Sequence, residues 1–135
     1  MKILLDTHVI LWVLTDDARL SDQARKLIAD PENLICYSAA SVWEIAVKNQ
    51  KAPEKCPYNE SDILFYCQQA GFEMLDMKLP HILALRTLQI KEGRTLSNYD
   101  PFDRMLIAQA KTEDYMLLSH DVNFQNYSEK CIVYI

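Results

Sequence analysis

Asp6, Glu44, Asp103 and Asp121 are the residues of this chain whose types and placement could do chemistry together. Asp6 follows the apolar run Ile3-Leu4-Leu5, and Asp121 follows the run Tyr115 to Leu118. Glu44 lies in the segment after Leu34-Ile35-Cys36-Tyr37, and Asp103 stands early in the segment that Asp100-Pro101 opens. If the runs are parallel strands, all these acids gather at the carboxyl edge of one sheet, where open α/β sheets form crevices. Carboxylates crowded into a crevice repel one another unless protonated or bridged by a cation. An oxygen-rich, thiol-free cluster suits Mg²⁺ or Mn²⁺ rather than zinc. Such an ion can activate a water and stabilise charge on a phosphoryl oxygen during in-line displacement.

Each acid also has a purely structural reading. Asp6 and Asp100 stand where aspartates cap helices, with Pro101 at the first helical position and Asp103 at the third. Glu44 pairs naturally with Lys48 one helical turn on. Its neighbours Val42, Trp43, Ile45, Ala46 and Val47 nevertheless leave little polar face, so a half-buried carboxylate is expected there. Asp121 suits a turn before Val122-Asn123-Phe124. Thr7 and Ser119, beside Asp6 and Asp121, can hydrogen-bond to the acids or to metal-bound water. Lys48, Arg86, Lys91, Arg94 and Arg104 are candidates for phosphate contact, although charged residues ordinarily form a solvated face. His8, His81 and His120 show no metal-ligand spacing.

The elements that must position these residues follow from periodicity. Strands are expected at Ile3–Leu5, Leu34–Tyr37, Phe72–Met77, Tyr115–Leu118 and Cys131–Ile135. Helices are expected after Asp6, from Ser21 to Asp30, from Ser38 to about Lys48, from Asn59 to Ala70, from Pro80 through Leu88, and from Asp100 through Ala110. Gly71 is the expected cap of the fourth of these. Residues 50–58 and 91–99 read as loops, the candidate contacts for a substrate or a partner. Strands alternating with helices predict a parallel sheet covered on both faces.

Bulk properties bound the function. At 135 residues the chain is expected to form a single domain with a real core. The net charge of −5 argues against a broad basic surface for nucleic acid, while leaving room for a cation or a basic partner chain. With only two glycines, Gly71 and Gly93, dinucleotide fingerprints, phosphate-cradling loops and nucleophile elbows are all excluded. Nothing resembles a signal peptide, and no apolar run approaches the roughly 20 residues of a membrane span. Cys36, Cys56, Cys67 and Cys131 lack CxxC spacing, so reduced thiols and a cytoplasmic protein are expected.

The chain resembles the PIN-domain proteins of the VapC type, the toxin half of type II toxin–antitoxin pairs. The resemblance is carried by Leu4-Leu5-Asp6-Thr7-His8, by Ser38-Ala39-Ala40-Ser41-Val42-Trp43-Glu44-Ile45, by Asp100-Pro101-Phe102-Asp103-Arg104 with Ile107-Ala108-Gln109-Ala110, and by Leu117-Leu118-Ser119-His120-Asp121 with Phe124. It implies a PIN-like three-layer α/β sandwich around a central parallel sheet of about five strands. It also implies a Mg²⁺- or Mn²⁺-dependent endoribonuclease in which a metal-activated water attacks RNA, leaving a 5′-phosphate and a 3′-hydroxyl. Asp6, Glu44, Asp103 and Asp121 are by that match the metal-binding, catalytic acids, with Thr7, Asp100, Ser119 and Arg104 as auxiliaries. A homodimer and a small cognate antitoxin are the implied partners. Two positions depart from the pattern: Asn98-Tyr99 stands where a His often precedes the Asp-Pro-Phe-Asp core, and Asn123 where many relatives carry a further acid. The alternative reading is a non-catalytic PIN-fold module that binds RNA or antitoxin. A haloacid-dehalogenase-type phosphatase, which needs a second Asp where His8 stands, fits worse.

Overall fold

The computed structural model describes residues 1–95 and 99–135. In chain order it consists of β1 (Lys2–Leu5), α1 (Thr7–Leu14), α2 (Asp22–Ala29), β2 (Leu34–Ser38), α3 (Ala39–Lys51), α4 (Glu60–Gln69), β3 (Glu73–Leu75), α5 (Leu79–Ala84), α6 (Pro101–Glu113), β4 (Met116–Ser119) and β5 (Ile132–Tyr134). Short 3-10 turns, Leu85–Thr87 and Val122–Asn126, follow α5 and β4.

The five strands form one sheet in the order β3-β2-β1-β4-β5, with every pairing parallel. The continuous apolar run of β1 reflects burial on both faces, because successive side chains of a strand point to opposite sides. Ile3 and Leu5 join Ile35, Tyr37 and Leu118 in a core with Val9, Ile10, Leu20, Ala24, Ile45 and Ile63. Leu4 joins Cys36 and Leu117 in a second core with Leu106, Ile107, Ala110, Phe124 and Tyr127. Helices thus cover both faces, and the expected three-layer α/β architecture is the one found. β1 lies between β2 and β4, so the chain first winds to one side of β1 and then returns to the other. A crevice opens where the direction of winding switches, at the carboxyl ends of β1 and β4.

Several boundaries differ from the sequence expectation. β3 is three residues long rather than Phe72–Met77, since it pairs on one side only, with β2. Beyond it the Asp76 carbonyl is taken by the side-chain amide of Gln109, 3.2 Å away. The helix at Pro80 starts one residue earlier, at Leu79, and tightens to the 3-10 turn Leu85–Thr87 instead of running through Leu88. α3 extends to Lys51, and α6 continues past Ala110 to Glu113 before Asp114 closes it in a left-handed conformation at φ 58°. Gly71 follows the end of α4 at φ 78°, a conformation that a residue without Cβ adopts at no steric cost. The loop expected at 91–99 includes residues 96–98, and Asn98 with them, which lie outside the described residues. All four cysteines are free thiols. Among the described residues no helix is long and apolar enough to cross a membrane.

One buried polar bridge ties the layers together. Ser38, at the end of β2, donates to Gln109 Oε1 at 2.6 Å while its oxygen accepts from the Ala40 N–H at 2.9 Å. Gln109 is fully buried, and its amide completes the bridge to Asp76. Replacing Gln109 by Leu strands the Ser38 proton in the core and removes the donor to the Asp76 carbonyl. The expected cost is about 1–3 kcal/mol, read as a lower urea midpoint at unchanged slope.

Candidate acidic site at the switch point

Asp6 occupies the N-cap position of α1 with extended backbone (φ −61°, ψ 153°), yet its side chain caps nothing. Instead Asp6 Oδ2 accepts a hydrogen bond from Ser119 Oγ at 2.7 Å, across the gap between β1 and β4. The register makes this contact inevitable, because Leu5 is paired with Leu118 and the next residues of the two strands therefore meet. Ser119 Oγ in turn accepts from the Asp121 N–H at 3.1 Å. A single hydroxyl thus fixes both the Asp6 carboxylate and the chain direction at Asp121. Asp121 Oδ1 accepts from the Asn123 N–H at 2.9 Å, so this acid caps the 3-10 turn, the structural reading of its sequence context.

Glu44 sits on the inner face of α3 and is 3 % exposed, deeper than the half-burial expected. Burial of a carboxylate demands partners, and both oxygens have them. Thr7 Oγ1 donates to Oε1 at 2.7 Å, and Lys48 Nζ lies 2.6 Å from Oε2. With its one proton given to Glu44, Thr7 is left to accept from Ser41 Oγ at 2.9 Å. Ser41 was not singled out from sequence. The available signal is its spacing, three residues before Glu44 on the same face of α3.

Asp103 is brought to the crevice by α6. Asp100 caps that helix, accepting from the N–H groups of Phe102 (2.8 Å) and Asp103 (3.2 Å), as its sequence context suggests. Trp43 packs edge-on against Phe102 with centroids 4.8 Å apart, locking α3 to α6 one residue before Glu44 and Asp103 respectively. Arg104 takes the opposite course. It is buried, donating to Tyr127 Oη and the Leu85 carbonyl and stacking over Tyr99 and Tyr127, so its guanidinium is engaged in structure rather than presented to phosphate.

Electrostatics show that the acids share one environment. Desolvation raises the Asp103 carboxyl from 3.8 to about 8, helped by the charges of Asp100, Asp6, Asp121 and Glu44. Asp6 is raised from 3.8 to about 6, again chiefly by burial; the Ser119 hydrogen bond and His8 oppose this, and Glu44 and Asp121 reinforce it. Among the described residues no three His, Cys, Asp or Glu side chains are close enough to hold a metal ion as they stand. The donor chemistry fits a hard divalent cation, being all oxygen, buried at Asp6 and Glu44 and half-buried at Asp103 and Asp121. A cavity of about 800 Å³ between Lys2, Lys111, Tyr115 and Cys131 lies at the other edge of the sheet and contains none of the four acids.

A raised carboxyl binds more protons in the folded than in the unfolded state. The stabilisation is complete below the unfolded value of 3.8 and is lost as pH climbs through the folded value of about 8. In chelator, the wild-type protein is expected to lose stability between about pH 5 and about pH 9. Asp103→Asn flattens that slope and is more stable than wild type at the upper pH by about 1–3 kcal/mol, after allowance for screening through the open crevice. Urea unfolding of both proteins at the two pH values measures it.

The PIN domain family model matches residues 3–130. Solved structures share the fold at low sequence identity. VapBC2 from Rickettsia felis bound to a DNA fragment from their promoter matches at TM-score 0.68 and 15% identity, over 100% of this chain and 98% of that one. DNA-bound VapBC from Salmonella typhimurium gives 0.67 and 16%, over 99% and 98%. VapBC-1 from nontypeable Haemophilus influenzae gives 0.61 and 16%, over 93% and 92%. No curated protein matches the chain by sequence.

Proposed function

The chain belongs to the PIN-domain family, and from that premise we propose that it is a divalent-metal-dependent endoribonuclease acting as the toxin of a toxin–antitoxin pair. The observation that carries this reading is the shared desolvation of Asp6 and Asp103, each raised further by the other acids of the crevice. A fold that needed only stability would not collect unneutralised carboxylates at its sheet edge. The VapBC structures that share the fold are toxin–antitoxin assemblies, which supports a small antitoxin as partner; a homodimeric toxin is part of the same proposal.

Asp6, Glu44, Asp103 and Asp121 are the residues that would hold Mg²⁺ or Mn²⁺. When bound, such an ion activates water and offsets the charge that develops on a phosphodiester during hydrolysis. The chain's own residues prepare the place. Ser119 aims Asp6, Thr7 aims Glu44, and Lys48 neutralises Glu44 from the solvent side. Burial and the neighbouring acids raise the Asp103 carboxyl, so a cation bound there would compete with a proton and its affinity would rise with pH. One feature favours the non-catalytic module instead: both Glu44 oxygens are already partnered.

Cleavage of total RNA with Mn²⁺ decides between the two. Wild type is expected to cut RNA, leaving 5′-phosphate ends, and to stop on addition of chelator. Asp6→Asn abolishes cleavage. Ser119→Ala, which removes only the hydroxyl that aims Asp6, lowers Mn²⁺ affinity about 10- to 100-fold, measured by calorimetry. RNA binding without cleavage in any divalent cation would leave the binding module as the correct reading.

A further inference from the structure

Beside the acids lies a set of rings that the proposed chemistry does not use. Trp12, on α1, is nearly buried, but its edge is continued outward by side chains at the surface. His8 lies roughly parallel to it, with centroids 6.4 Å apart. His120 meets it edge-on at 5.1 Å, and Tyr134 stacks on His120 at 5.5 Å with the planes 14° apart. The Arg19 guanidinium lies 5.0 Å from the Trp12 ring, held by two side-chain hydrogen bonds to Asp17 at 3.1 and 2.7 Å. His8, Trp12, Arg19, His120 and Tyr134 line one cavity of about 430 Å³, and Asp121 lines it with them. His8 and His120 are exposed and Tyr134 is 40 % exposed, so these rings are presented to solvent rather than consumed in the core.

We propose that this cavity is a nucleobase subsite, which receives one unpaired base of the RNA next to the phosphodiester held at the acids. The inference rests on the ribonuclease reading and deepens it by naming the substrate as single-stranded at that position. Stacking on aromatic and imidazole faces is how proteins hold bases of single strands, whereas bases inside a duplex offer no free face. The volume is within the usual range of small-molecule sites. His120 stands between Ser119 and Asp121 in the chain, so a base on its ring brings its own sugar and phosphate to the carboxylates. A second cavity, of about 330 Å³, lies on the other flank of Trp12 and shares His8 and Arg19. It reaches Thr7, Lys48 and Lys55, placing cations where the neighbouring phosphate would run.

The test is fluorescence anisotropy with a labelled single-stranded RNA oligonucleotide of mixed sequence, in chelator, alongside cleavage of the same RNA in Mn²⁺. His120→Ala and Tyr134→Ala, both at the surface, are each expected to weaken binding about tenfold. An abasic nucleotide at one position of the RNA weakens wild-type binding to the same extent, and that penalty disappears in His120→Ala. Wild-type cleavage accompanied by equal binding of every abasic RNA, with both variants unimpaired, overturns the subsite and leaves the nuclease standing. Absence of both cleavage and binding in wild type overturns the ribonuclease reading and the subsite with it. Loss of affinity for an arginine-rich peptide in the two variants, with RNA binding unchanged, overturns the subsite in favour of a protein partner.

Discussion

The hydrogen bond from Ser119 to Asp6 is the contact on which the working end of this molecule depends. It joins the ends of β1 and β4, the two strands between which the winding of the chain reverses. An aspartate after a strand would ordinarily turn back to cap its own helix. Here the neighbouring strand supplies a hydroxyl at 2.7 Å, and the carboxylate is drawn across the switch point instead. Because the same hydroxyl accepts from the Asp121 N–H, the departure of the chain from β4 is set by the same contact.

Around that bond the acids are held by separate devices that share one logic. Three of the carboxylates are held by named donors: Asp6 by Ser119, Glu44 by Thr7 and Lys48, and Asp121 by the Asn123 N–H. Thr7 on α1 reaches Glu44 on α3, so the two helices on one face of the sheet are linked through the site itself. The Trp43–Phe102 pair links α3 to α6 across the layers, and the residues that follow those rings are Glu44 and Asp103. Concentrating negative charge in this way is a standing cost in stability, and the pairing of Lys48 with Glu44 relieves only part of it. Burial first, and the neighbouring acids after it, raise the carboxyls of Asp6 and Asp103. The apolar cores on the two faces of the sheet are what allow the fold to carry this strain.

Much of this was legible in the residue pattern. The continuous apolar runs at β1, β2 and β4 declared strands buried on both faces. The caps at Ser21, Ser38, Asn59 and Asp100 accept the backbone N–H groups their positions predict. The boundaries that differed are those where tertiary contacts override local preference. An edge strand stops where its one partner ends, and a helix tightens into a 3-10 turn where the buried Arg104 donates to the Leu85 carbonyl. Arg104 illustrates the limit well: sequence makes it a cation beside an acid, and only packing reveals that Tyr99, Tyr127 and that carbonyl engage it.

By itself the sequence determined the order and type of the elements, the parallel covered sheet, and the candidate acids that stand after its strands or early in the helices that follow. Those properties follow from periodicity and from residue chemistry, which are local. What the tertiary structure alone decided is the state of each acid and the company it keeps: Asp6 turned to Ser119 rather than to its own helix, Glu44 divided between Thr7 and Lys48, Gln109 bridging Ser38 to Asp76. It also decided that His8, Trp12, His120 and Tyr134, from two ends of the chain, line one cavity. Burial and partnership are properties of the surrounding volume, and that volume is filled by residues distant in sequence.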